Sequence, residues 1–162
     1  DPKKTYEKIK EAIKIISKDV KEFDKKLWIR PETTGKITQF GTIHEIIDLS
    51  LEFDNVLPCI DWSHLHAWSN GKYNSTEEFR SVLELVEKKL GRRALDNVHF
   101  HCQGVEYNAT GERNHLNLKE SDLKYKELLD VWREFKIKGV VIAESPNVEE
   151  DSLLLKKTYH KL

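Results

Sequence analysis

Four short apolar runs recur along the chain, Leu27–Arg30, Val56–Asp61, Asn97–His101 and Gly139–Glu144, and each is followed by a stretch with helical spacing. Strands that are apolar on both faces, alternating with helices, build a parallel sheet covered by its crossover helices. The helical spacing can be read residue by residue. A leading helix over Tyr6 to Phe23 aligns Tyr6, Ile9, Ala12, Ile13, Ile16, Val20 and Phe23. The stretch Thr42 to Phe53 carries Ile43, Ile46, Ile47, Leu49 and Leu51, with Thr42 and Glu45 spaced as a capping box. Later helices are expected from Ser75 or Thr76 to Leu90, closed by Gly91, then over Tyr125 to Phe135 and Glu149 to Lys161.

The pattern is one leading helix and four βα units, too few strands to close a barrel. Every strand ends on a carboxylate or an imidazole: Glu32, Asp61 with His64, His99, and Glu144. In parallel barrels the C-terminal strand ends are where the βα loops converge on one pocket. The expected fold is therefore α/β, a TIM (β/α)8 barrel of which this chain supplies about half, with residues 1–162 as one domain. A complete, open four-stranded sheet is the alternative. Gly104 to Asp122 reads as one long loop, and long loops in compact domains are often functional. The chain opens at Asp1 and contains no methionine, and a fragment is expected.

Composition narrows the class. With 38% hydrophobic and 34% charged residues, the chain can bury a core, and no apolar run approaches the roughly 20 residues of a membrane span. No signal-peptide core follows Asp1, so a cytoplasmic location without a membrane partner is expected. Cys59 and Cys102 lie inside strand-like runs, as small buried thiols do. A net charge of −1 advertises no general affinity for nucleic acid, although a local basic lining would still bind it.

Glu144 is the sharpest single signal, because a carboxylate after Val140-Val141-Ile142-Ala143 is costly to bury without a cation or a hydrogen-bond partner. Collected at one rim, Glu32, Asp61, His99 and Glu144 make a mixed oxygen and nitrogen set suited to zinc, manganese or iron. His64 and His66, like His99 and His101, stand two residues apart, and one of each pair is expected to be structural.

The segments Arg30-Pro31-Glu32-Thr33-Thr34-Gly35, Cys59-Ile60-Asp61-Trp62-Ser63-His64, His99-Phe100-His101, Gly111-Glu112-Arg113-Asn114-His115 and Ile142-Ala143-Glu144-Ser145-Pro146 resemble the ordered C-terminal motifs of the endonuclease IV (deoxyribonuclease IV) family. That resemblance spans nearly the whole chain. It implies a xylose-isomerase-like TIM barrel, cleavage of DNA 5′ of abasic sites in base-excision repair, and a three-zinc cluster, of which two or three ions are expected in this chain. It further implies Glu32 as the bridging carboxylate, Asp61, His99 and Glu144 as ligands of a second metal, and His64 as a ligand of a third. The family's Asp-x-His pair falls on Glu112 and Asn114, with His115 one residue later and His66 nearby as added imidazoles. Two firmly held metals are expected, with the third position empty, labile, or filled through His115 or His66. The family's further histidines, from the first half of its barrel, have no match here, so a missing N-terminal half or a second chain is an expected partner.

On this reading Glu32, Asp61, His99 and Glu144 are the catalytic set. Lys36, Lys72 and Arg113 are candidate phosphate contacts, and Trp68, Tyr73 or Tyr107 would fill the gap left by a missing base. The competing reading is a metal-dependent sugar isomerase or epimerase of the same superfamily, for which the four ligands would serve equally well. A non-catalytic metal-binding relative is the third. The Asp61-x-x-His64 pair and the Gly111–His115 segment favour the nuclease.

Overall fold

A computed structural model describes residues 1–161. In chain order it contains helix α1 (Pro2–Phe23), helix α2 (Ile43–Glu52), strand β1 (Cys59–Asp61), helices α3 (Trp62–Trp68), α4 (Thr76–Leu90) and α5 (Arg92–Leu95), and strand β2 (Val98–His101). Strands β3 (Gly104–Asn108) and β4 (Gly111–Leu116), a 3-10 turn at Leu118–Glu120, helix α6 (Tyr125–Glu134), strand β5 (Gly139–Ile142) and helix α7 (Glu149–Lys161) follow. The fold is α/β with a parallel sheet in the order β1-β2-β5. Register pairs Cys59 with His99 and Asp61 with His101, and His99 in turn with Val140 and His101 with Ile142.

The expected first strand lies parallel to β1 but forms only isolated bridges, Ile29 to Val56 and Glu32 to Cys59. Its hydrogen bonds give the reason. Ile29 N–H donates to Asn55 O, Leu57 N–H to Ile29 O, Cys59 N–H to Pro31 O and Thr33 N–H to Cys59 O. The missing rung falls at Pro31, which has no N–H to give. The segment thus keeps strand register and delivers Glu32 next to β1.

Alternation along the strands separates the two faces. Ile60 and Phe100 turn toward the helices, where Trp62 packs edge-on to Phe79 and Phe100, at centroid distances of 5.8 and 5.5 Å, and Trp132 closes the cluster. Cys59, Asp61, His99 and His101 turn to the opposite face. Helix α1 packs separately, through Ile13 against Leu49 and Val56, and is fastened by a buried hydrogen bond of 2.5 Å from Ser17 Oγ to Asn55 Oδ1. The outer edge of β5 has no strand partner among the described residues, and Val140, Val141 and Ile142 are 52, 38 and 39% exposed.

One expectation is corrected here. The segment Gly104 to Asp122 is not a loop: β3 and β4 form an antiparallel hairpin before the 3-10 turn. Its backbone groups pair with each other, which a loop of that length would have left to water. Directly after β1, Asp61 caps helix α3, a short helix not anticipated from the sequence. By contrast, the Thr42–Glu45 capping box and the termination of α4 at Gly91, with φ of 77°, are as expected.

Candidate metal centre

The site is assembled at the C-terminal ends of the parallel strands. Asp61 ends β1, is fully buried, and is held at both oxygens: Oδ1 accepts the His64 N–H at 2.8 Å and Oδ2 accepts Gln103 Nε2 at 2.7 Å. Burial pushes its carboxyl above the usual range. One register step away, His101 ends β2 and aims Nδ1 at three carboxylates, 3.1 Å from Glu32 Oε1, 3.5 Å from Glu144 Oε2 and 3.8 Å from Asp61 Oδ2. One donor atom each from Glu32, Asp61, His101 and Glu144 can be chosen so that all lie within 4.8 Å of one another.

His101, not His99, completes this group. Both imidazoles share a face of β2 because they are two residues apart, but β2 runs on to His101, so His99 lies one layer deeper, level with Cys59. The missed signal was positional: the last residue of the strand, not the first imidazole in it, reaches the rim. Gln103, which orients Asp61, was also missed, since nothing local marks a glutamine as a carboxylate's partner.

A second donor group adjoins the first. His64, in the first turn of α3, places Nδ1 2.8 Å from Thr33 O and 3.3 Å from Glu32 Oε1, while its Nε2 lies 3.3 Å from Glu112 Oε2. His115 mirrors it, with Nδ1 2.9 Å from Glu144 O and Nε2 3.2 Å from Glu112 Oε1. A carbonyl can only accept, so each Nδ1 carries a proton, which leaves each Nε2 as the nitrogen that could ligate an ion beside the Glu112 carboxylate. Two imidazole nitrogens and a carboxylate converging in this way can hold a cation between them.

Close backbone approach brings Glu112 there. The β-hairpin rests on the loop after Glu32 through a Glu112 N–H to Gly35 O bond of 2.8 Å and a Lys36–Gly111 bridge. Gly111 has φ of 101°, and a Cβ on it would collide with the Gly35 carbonyl.

The remaining candidates are placed as follows. Asn114 donates Nδ2 to Glu106 Oε2 at 2.8 Å and belongs to neither group. His66 is fully buried, with Nδ1 2.8 Å from Lys72 O and Nε2 3.0 Å from Asp122 Oδ1, and is no ligand of either group. Two helical residues after His64, it points nearly to the other side of α3. Tyr107 is committed to the same cluster, its hydroxyl donating to Asp122 at 2.8 Å. Lys36 and Arg113 are exposed beside Gly111 and Glu112, Arg113 being paired with Glu106 at 3.3 Å. Lys72 is exposed on the loop after α3.

Parallel strands that each end in a metal-type donor are the arrangement of one group of barrels, and the xylose isomerase-like TIM barrel profile matches residues 1–158. This chain belongs to the xylose isomerase-like TIM barrel family. Within that family it is 44% identical over 158 residues to an uncharacterized protein of Methanocaldococcus jannaschii. The match covers 98% of this chain and 58% of the relative, so the chain spans little more than half the relative's length.

The residues fit the metals often held in this xylose isomerase-like family. Three carboxylates with one imidazole, and one carboxylate with two imidazoles, are sets that zinc, manganese and iron accept. The first set also draws positive charge to itself as it stands: the Cys59 thiol and the Glu32 carboxylate beside His101 push its pKa up to about 11. In return, the His101 hydrogen bond holds Glu32 below the usual carboxylate range. No helix among the described residues is long and apolar enough to cross a membrane.

Proposed function

We propose that this chain carries the metal-binding part of an endonuclease IV-type phosphodiesterase, a cytoplasmic DNA-repair enzyme that cuts duplex DNA 5′ of abasic sites. The observation that carries the reading is the second donor group, His64, Glu112 and His115, set against the first. A sugar isomerase has use for the first group alone. A phosphodiester in hydrolysis must have charge balanced on an attacking, a nonbridging and a leaving oxygen, and adjacent donor groups suit that demand.

Glu32, Asp61, His101 and Glu144 would hold one or two ions of the zinc class, and His64, Glu112 and His115 another. Bound there, the ions supply Lewis acidity toward a phosphodiester and lower the pKa of water. The chain's own residues orient that chemistry: Gln103 fixes Asp61, while Thr33 O and Glu144 O fix the tautomers of His64 and His115. Lys36 and Arg113, exposed next to Gly111 and Glu112, and Lys72, exposed on the loop after α3, would meet phosphates. The exposed apolar face and unpaired edge of β5 are where the rest of an eightfold barrel, or a second chain, would pack.

The test is incubation of the metal-loaded protein with duplex DNA carrying one abasic site. Chelator-sensitive nicking that Glu144→Gln nearly abolishes is expected. Ketose isomerisation without nicking would reverse the assignment.

A further inference from the structure

Beneath the carboxylate-rich group, one layer into the same face of the sheet, lies a third set of donors that shares His101 with that group and adds Cys59 and His99, which belong to neither group described above. Cys59 and His99 are register partners across β1 and β2, and His101 stands over them at the next step. One donor atom of each of the three can be chosen within 4.8 Å of the others. The two imidazoles meet nitrogen to nitrogen, His99 Nε2 lying 3.3 Å from His101 Nε2. Two ligands each ~2.0–2.1 Å from a tetrahedral ion are about 3.3–3.4 Å apart, so the pair is already at coordination distance. His101 also presents its other nitrogen to Glu32 at 3.1 Å, the carboxylate contact that commonly orients a metal-bound imidazole.

We propose that Cys59, His99 and His101 form a soft-donor site for a zinc-class divalent ion beneath the carboxylate site. Binding displaces the Cys59 proton to solvent, and Cys59 Sγ, His99 Nε2 and His101 Nε2 supply three ligands, leaving a fourth position open. His101 faces both sites, Nδ1 to the carboxylates and Nε2 to His99, so an ion in the lower site makes His101 a donor to Glu32 and withdraws it as a ligand above. The two sites compete for one imidazole. This proposal does not rest on the endonuclease reading, because the lower site can fill in a protein that nicks no DNA.

The test is titration of chelator-stripped protein with Co2+, reading the near-ultraviolet thiolate-to-cobalt charge-transfer band. The band is expected in the wild type, in Cys102→Ser and in Glu144→Gln, and is expected to be lost in both Cys59→Ser and His99→Ala, with circular dichroism confirming that the variants are folded. Cys102 is the control because it is buried in the helix-side core, away from this face. A wild type that takes up Co2+ with no thiolate band, or a band that survives Cys59→Ser, would overturn the proposal.

Discussion

Glu112 and His115 stand three residues apart on one strand and yet share a face, with Glu112 Oε1 3.2 Å from His115 Nε2. A regular strand would put them on opposite faces. The β3–β4 register explains the exception: Glu106 pairs with Asn114 and Tyr107 with Glu112, so Arg113 is an extra residue, a bulge that resets the alternation.

The bulge makes a prediction about ligands. Asn114→His should leave the metal content per chain unchanged, because position 114 is turned to Glu106, whereas His115→Ala should remove an ion. Deleting Arg113 straightens the ladder, and metal analysis should then show the same loss as His115→Ala. An added ion in Asn114→His would mean that the bulge does not hold in solution.

Gly111→Ala combines a backbone angle unfavourable to any side chain with a collision against Gly35 O. A loss of about 1–3 kcal/mol is expected, seen as a lower urea midpoint. Because Glu112 reaches His64 only while the hairpin rests on Gly35, weaker binding of one metal should accompany the loss.

Gln103→Leu removes the side-chain donor to the fully buried Asp61 carboxylate. Orienting partners of this kind are worth about 10–100-fold in metal affinity. Competition against a chromophoric chelator should read a weakening of that order, with Gln103→Glu at least as damaging, since it sets a like charge against Asp61.

Asp151 should give the fold an acid-sensitive component. Burial alone raises its pKa, but the Leu118 N–H at 2.7 Å and the Asn147 amide at 3.1 Å donate to its carboxylate and help hold it below the usual value. A carboxyl depressed in the folded state contributes stability that is fully present above its unfolded pKa and is lost as pH falls through the folded one. Urea midpoints followed downward from neutral pH should therefore fall less steeply below about pH 4 in Asp151→Asn than in the wild type.

What the sequence determined by itself is local. Helix spacing, the Thr42–Glu45 capping box, the break at Gly91 and the apolar strand runs depend on neighbours a few residues away, so the alternating α/β order and the strand-end position of the acids were legible without a structure. The hairpin was hidden because its strands are largely polar, and their pairing gives no apolar period to read. Only tertiary structure could choose His101 over His99, since that choice depends on where β2 ends and on its register with Asp61. The same holds for His115 over Asn114: a one-residue bulge changes which side chains share a face, and a bulge exists only in the pairing of two strands. Metal-type donors can be counted in a sequence, but the distances between them are set by contacts across the sheet, from Glu32 to His101 and from His64 to Glu112.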